Sequence, residues 1–505
     1  MITFSTALVL LIAGYFVYGT LMSRIFGQDK SRPTPVQTMA DGVDYIRMKP
    51  WRIFLIQFLN IAGLGPIFGA IMGIMFGPSA FLWIVLGTIF GGAVHDYMSG
   101  MMSLRQGGAS LPDVVGGQLG SGTRKLLGVF AVLLLILVGA VFVYNPADLL
   151  AMLTPESLSR NFWVAVIFIY YMAATLLPID RIIGKIYPVF GFALLFMAAG
   201  IMAMLYVHHA DVPELWDQFY NHKPDPESAP IFPMMFISIA CGAISGFHAT
   251  QSPMMARCLP DEKYGQAIFY GAMVAEGIVA LIWAAAAVTF CHGYNGLQQT
   301  LGTSSPAVLV NNLSRDWLGT VGGILAIFGV IAAPITTGDT ALRSARLMIA
   351  DLMKYDQKKI VRRLLISVPV FVLCFTVMLL PYEVLWRYFA WCNQVLSVFT
   401  LWAVTVWLAR NRKAYIVTLL PAIFMTMVTV TYILFAPEGF ALPYWLSLAG
   451  ASLVAFVFLS LFARTLRTRT ILTPIIHKTK RATTLERNVQ KIKRNVHASQ
   501  NETYL

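Results

Sequence analysis

Apolar runs of about 20 residues recur along nearly the whole chain, each long enough to cross roughly 30 Å of hydrocarbon at about 1.5 Å per helical residue. Of the 505 residues 57% are hydrophobic and only 12% are charged, with a mean hydropathy of +0.69. Average soluble chains carry roughly twice that charged fraction, and so few charges cannot screen so much apolar surface from water. The runs predict a polytopic membrane protein with about thirteen transmembrane helices, at 3–24, 52–77, 80–104, 126–146, 161–180, 186–208, 233–256, 264–291, 317–338, 364–381, 388–408, 414–435 and 442–462. The stretch Met1–Phe26 has neither a basic n-region nor a small-residue cleavage site and reads as the first of them. The five cysteines fall in or beside apolar segments without a CxxC pair, which points to buried thiols and away from disulfides or zinc.

Charge sets the topology. With the N-terminus outside and the loops alternating, all but four of the 37 Lys and Arg residues fall on the inside, the exceptions being Arg160, Lys223, Arg315 and Arg387. That asymmetry predicts N-terminus out and C-terminus cytoplasmic in the inner membrane. The net charge of +13 is then flanking charge and no nucleic-acid surface. The basic tail 464–505 carries helically spaced Leu485, Val489, Ile492 and Val496 among Lys and Arg, a pattern that suits a helix on anionic lipid and equally a frayed, solvated tail. The outer loop 209–232 is acidic and Pro-punctuated, a cap at most.

Two segments are poorly suited to continuous helix. The second span carries Gly63, Gly65 and Pro66 at mid-membrane, and the seventh carries Gly242, Gly246 and Pro253 together with Ser245, His248, Thr250, Gln251 and Ser252. Pro removes a backbone donor and Gly lowers helix stability by about 1 kcal/mol, and unwound backbone at that depth is tolerated where it lines a cavity or is buried in protein. The two segments run in opposite directions five helices apart, the pattern of an inverted repeat whose binding site lies where the broken helices meet. The expected fold class is all-α, with a 5+5 inverted repeat of the LeuT/APC type over 50–208 and 233–410, an extra helix at 1–26 and two more at 411–463. The spacing of Gly65, Gly69, Gly73 and Gly77 equally suits close helix packing.

An ionised side chain at mid-membrane costs at least about 2.5–3.5 kcal/mol, so each needs a reason. His95, Asp96, Glu276 and Asp339 are the ion-coupling candidates, and His248 a substrate or proton ligand. The bland readings are an ion pair of His95 and Asp96 with Arg105 or another basic loop residue, a carbonyl partner for His248, an interhelical partner for Glu276, and an N-cap for Asp339. Thr336 and Thr337, with carbonyls of Ala62, Gly63 or Leu64, form a candidate sodium site.

The runs Asn60–Ala70 (NIAGLGPIFGA), Gly92–Ser103 (GAVHDYMSGMMS), Ser245–Arg257 (SGFHATQSPMMAR) and Thr337–Leu347 (TGDTALRSARL) together resemble the peptide transporter carbon starvation (CstA) family, over roughly residues 1–465. The resemblance implies an inner-membrane transporter of the amino acid–polyamine–organocation superfamily taking up peptides or pyruvate under nutrient limitation. It implies Gly63–Gly69 and Ser245–Pro253 as the substrate cradle and sets His95, Asp96 and Asp339 in family motifs. The best-known members are considerably longer, with extra C-terminal membrane segments. The expected function is import of peptides or pyruvate by proton or sodium symport, with no cofactor beyond the coupling ion. The alternatives are a nutrient sensor that signals through the tail, and a membrane-embedded redox protein; no HExxH, GxSxG or paired-Cys motif supports an enzyme.

Overall fold

A computed structural model describes residues 1–176, 183–208, 210–217, 219–357, 359–380 and 382–467. Most of the basic tail, from residue 468, lies outside the described residues, and with it the lipid-facing helix expected there.

Among the described residues the regular structure is all helix, with no strand. Among the described residues nine helices are long and apolar enough to cross a membrane, and one bent pair adds a tenth. In chain order the elements that matter below are α1 (Ile2–Phe26), α2 (Pro50–Ala62) and α3 (Gly65–Ile74), which form the bent pair, and α4 (Ser79–Arg105). They are followed by α5 (Ser121–Leu153), α6 (Arg160–Leu176) and α7 (Ile183–Val207). Then come α8 (Gly246–Cys258), α9 (Glu262–Phe290), α10 (Ala333–Met353), α11 (Ile360–Val377), α12 (Tyr382–Arg410), α13 (Ile416–Phe435) and α14 (Tyr444–Arg467).

Three of the thirteen expected spans fall outside this count. Described helix α6 is 17 residues long. The seventh span is interrupted at 239–245. The ninth is not a span closed by an N-cap: beyond Gly319, at φ 61° and ψ −148°, the chain stays helical to Met353. Asp339 therefore sits inside α10 and caps nothing.

Helices α5 and α10 pack together at the centre, with α2, α6, α8, α11 and α12 against them, and α4 and α9 pack in turn on α8 and α2. The outer helices turn apolar side chains outward: Val9, Phe16 and Val17 of α1, Val368 and Val372 of α11, and Leu453 and Phe456 of α14 are all exposed. Such faces are at rest in lipid and not in water.

The loops sort into two sets by their own contacts. Arg105 Nε donates to Glu262 at 2.9 Å, Lys413 Nζ to the carbonyl of Ile25 at 2.8 Å, and Arg257 to Gly108 O at 2.9 Å and to Asp351 at 3.0 Å. At the other end Glu214 accepts from the amides of Ile2 and Thr3, each at 2.7 Å, and Gln298 donates to His222 O at 2.6 Å. Each of these contacts joins segments that strict alternation puts on one side. The acidic loop is pinned to the start of α1, and Gly77, at φ 108°, admits Tyr220 O within 2.6 Å of where a Cβ would lie.

Candidate functional site: two helix breaks and a buried proton-exchanging chain

Each expected break is present, the second a turn earlier than expected. Helices α2 and α3 meet at 52° across Gly63, whose φ of 45° and ψ of −132° suit glycine. The second segment is helical at 231–238, irregular from 239 to 245, and helical again from Gly246. Ser245 is its N-cap residue, so Gly246, His248, Thr250, Gln251, Ser252 and Pro253 lie on regular helix and not in unwound chain. A helix tolerates a proline with its neighbours' help, and the run of Gly242, Ala243 and Ser245 before it is what gives way.

The breaks touch. A Cβ on Gly65 would lie 2.0 Å from Cys241 Cβ, and one on Gly69 would lie 2.8 Å from Ser238 O. Gly65, Gly69 and Gly73 thus pack on the second break and Gly77 on the loop at Tyr220, as close packing of the stripe requires.

The freed backbone groups find side chains. Thr88 Oγ1 donates to Gly242 O at 3.1 Å, Gln394 Nε2 to Ile244 O at 3.0 Å, and Phe247 N to Asn393 Oδ1 at 2.6 Å. Ser245 Oγ also donates to Asn393 Oδ1, at 3.0 Å. At the first break Thr337 Oγ1 reaches Leu59 O at 3.1 Å and Ala333 O at 3.0 Å, and lies 3.3 Å from the Cβ position of Gly63. Thr336 Oγ1 turns back to Ala333 O at 2.8 Å. Asn393 and Gln394 were missed in the sequence reading. Their signal is adjacent amides inside an otherwise apolar stretch of α12.

Four titratable residues expected to act separately come together. His95 Nδ1 and His248 Nδ1 lie 2.7 and 2.8 Å from the two oxygens of Asp96, and His248 Nε2 lies 3.4 Å from Glu276 Oε2. All four side chains are fully buried. Asp96 does not pair with Arg105, which binds Glu262, and His248 does not turn to a carbonyl. If Asp96 accepts from both imidazoles, each carries its proton on Nδ1. One further proton can then reside on His248 Nε2 or on Glu276, whose oxygens have no hydrogen-bond partner among the described residues. The chain joins α4, α8 and α9, and α8 is the half-helix that follows the second break.

Asp339 stands apart. Its Oδ2 accepts from the Tyr187 hydroxyl of α7, and Arg343 follows one turn along α10. Gln251 bonds to Thr250 and accepts from Ser344 at 3.3 Å, and Ser252 receives Gln57 Nε2 at 3.3 Å.

The match to known proteins is decisive for kinship. A family model described as carbon starvation protein CstA matches residues 1–157, 151–308 and 294–432. The chain belongs to the CstA family. It is 41% identical over 349 residues to a membrane protein of Haemophilus influenzae, covering 60% of this chain and 94% of that one. It is 26% identical to the peptide transporter CstA of Campylobacter jejuni, covering 60% of this chain and 51% of the relative. It is also 26% identical to the pyruvate/proton symporter BtsT of Escherichia coli K12, covering 52% and 45%. The chain spans about half the length of these two transporters. Among solved structures MhsT in complex with L-phenylalanine aligns over 82% of this chain and 99% of that one, at a TM-score of 0.52 and 13% identity. That likeness is one of fold.

Proposed function

We propose that this CstA-family chain is a secondary active transporter that imports peptides or pyruvate across the inner membrane by proton symport. The observation that carries the reading is the buried run His95–Asp96–His248–Glu276, built only from groups that exchange protons and anchored on a helix that begins at a break. A proton added to or lost from this run changes the charge that α4, α8 and α9 share. Burial makes that charge expensive, so protonation biases how these helices pack and couples the ion to a rocking motion.

The remaining assignments follow the same reading. The thirteen spans form a 5+5 inverted repeat over 50–208 and 233–410 of the LeuT type, with helices 1–26 and 411–463 outside it. The N-terminus faces outward, the C-terminus and the basic tail 464–505 face the cytoplasm, and the tail meets anionic lipid. Sodium at Thr337 and the carbonyls near Gly63 is the lesser reading, supported by the placement of that hydroxyl against the first break.

The test is uptake of labelled pyruvate and alanyl-alanine into proteoliposomes under an imposed proton gradient, with a sodium gradient as the contrast. Accumulation driven by the proton gradient alone is expected. Accumulation that follows sodium and ignores pH would replace the proton with the Thr337 site, and no gradient-driven uptake of either compound would end the reading.

A further inference from the structure

Two of the four basic residues that break the inside rule lie around one cavity. Lys223, in the loop before the second broken segment, and Arg387, near the start of α12, line a space of about 290 Å³. Gly65 and Gly69 of the first broken helix border it, as do Ser238 and Cys241 of the second. Phe76 and Phe389 add apolar walls. Of the expected cradle, Gly63–Gly69 and Ser245–Pro253, Gly65 and Gly69 are the members among the described residues that line it.

The cations need a reason to be there. Lys223 Nζ lies 3.8 Å from Met75 Sδ and 4.8 Å from the centre of the Phe76 ring, and it forms no ion pair among the described residues. Burial lowers its pKa below the ordinary lysine value, so its charge is held at some cost. Arg387 reaches Glu438 at 3.9 Å, and that carboxylate is also taken by the Tyr432 hydroxyl.

The neighbouring basin on the same face is opposite in sign. Its 960 Å³ is lined, among the described residues, by Asp211, Glu214, Asp217 and Asp316 with three histidines, and by no Lys or Arg. The basin is thus lined by acids, whereas Lys223 and Arg387 line the cavity where the broken helices meet.

We propose that Lys223 and Arg387 form a carboxylate-recognition site in this cavity, with the apolar part of the ligand against Phe76 and Phe389. The proposal rests on the transport reading above and names what its substrate must carry. An ammonium is a compact point charge and a guanidinium a planar fork, and both bind a carboxylate more strongly beside apolar walls that thin out water. At the half-helix N-terminus of α8 the Phe247 amide is already taken by Asn393. The carboxylate of a small 2-oxo acid and the C-terminus of a short peptide share this chemistry.

The experiment compares each acid with its uncharged counterpart: pyruvate with methyl pyruvate, and alanyl-alanine with its amide. Ligand-induced thermal stabilisation of the purified full chain gives the apparent affinities. At least one acid is expected to bind roughly tenfold or more tightly than its counterpart. Lys223→Gln and Arg387→Gln should bring that ratio close to one, and Lys223→Arg should keep it. Preference for pyruvate alone assigns an oxo acid, and preference for the peptide acid alone assigns a C-terminus. An unchanged ratio in both Gln variants overturns the proposal, as does the absence of any acid preference in the wild type. Unliganded melting temperatures equal to wild type identify the variants as folded, and the Lys223→Arg result stands if a Gln variant does not fold. Gradient-driven uptake without acid preference removes this site and leaves the transport reading. Acid preference without uptake does the reverse.

Discussion

Asp96 and Asp339 are both fully buried carboxylates on helices of the central bundle, yet their surroundings differ in kind. Asp96 meets two imidazoles, one of which reaches on to Glu276. Asp339 meets a tyrosine hydroxyl and has Arg343 one turn ahead on its own helix. An arginine stays protonated at every physiological pH, whereas an imidazole changes charge near neutrality. The first site therefore links three kinds of proton-accepting atom in one run, whereas the second offers a single carboxylate with a permanent cation one turn ahead. Only the first includes a side chain of a broken helix, His248 of α8, and that is why we place the coupling proton there.

The largest expected effect separates the two sites directly. Glu276→Gln keeps the shape of the side chain but cannot give up a proton. It should lower gradient-driven accumulation by about 100-fold, the scale on which a positioned proton-transfer group acts, while substrate exchange between two loaded compartments persists. Asp339→Asn should leave the pH dependence of uptake as it is. If Asp339→Asn erases that dependence and Glu276→Gln does not, the roles of the two sites are reversed.

Stability gives the next contrast. Asp96→Asn removes the charge that two buried imidazoles share, and breaking a buried ion pair from one side costs about 3–5 kcal/mol. The melting temperature of the purified protein should fall accordingly. Asn393→Ala should cost less, about 1–3 kcal/mol, because it strands the Phe247 amide and the Ser245 hydroxyl but no charge. A larger loss at Asn393 than at Asp96 would mean that the second break, and not the proton-exchanging run, carries the packing of α8.

Much of this was legible in the sequence, for identifiable reasons. Length and apolarity announce membrane helices because hydrocarbon has a fixed thickness. Gly63, Gly65 and Pro66 announce a break because the helix ladder has nothing to offer them. The individual titratable residues were legible too, since each is conspicuous in an apolar run. Their convergence was not. His95, His248 and Glu276 lie on three helices, and helical spacing reports neighbours along one helix only. The second break was read to run from Gly242 on to Pro253, because that proline and the polar side chains before it also disfavour helix, whereas the chain is irregular at 239–245 and helical from Gly246. Lys223 was counted as an exception to the charge rule, and its place at the cavity depends on how a loop folds over α3, which no local pattern encodes.

The smallest effect supplies a control for the first. Glu214 is a carboxylate of the outer loop, outside the membrane. Burial pushes its pKa up, but hydrogen bonds from the Met1 ammonium, Thr3 and the Ile2 amide outweigh this and hold it at about 2, below the ordinary 4.5. A carboxyl whose pKa is depressed on folding stabilises the protein above its unfolded pKa and loses that stabilisation as pH falls through the folded one. The tether between the loop and α1 should therefore be at full strength above about pH 4.5 and weaken as pH drops toward 2. Wild type should lose more melting temperature than Glu214→Gln on acidification from pH 6 to pH 3. The uptake of the two proteins should keep the same pH profile, because the proton that drives transport resides on the buried run. A Glu214→Gln variant with a shifted uptake profile would move the pH response out of the bundle and into the outer loop, and the distinction drawn between Asp96 and Asp339 would lose its basis.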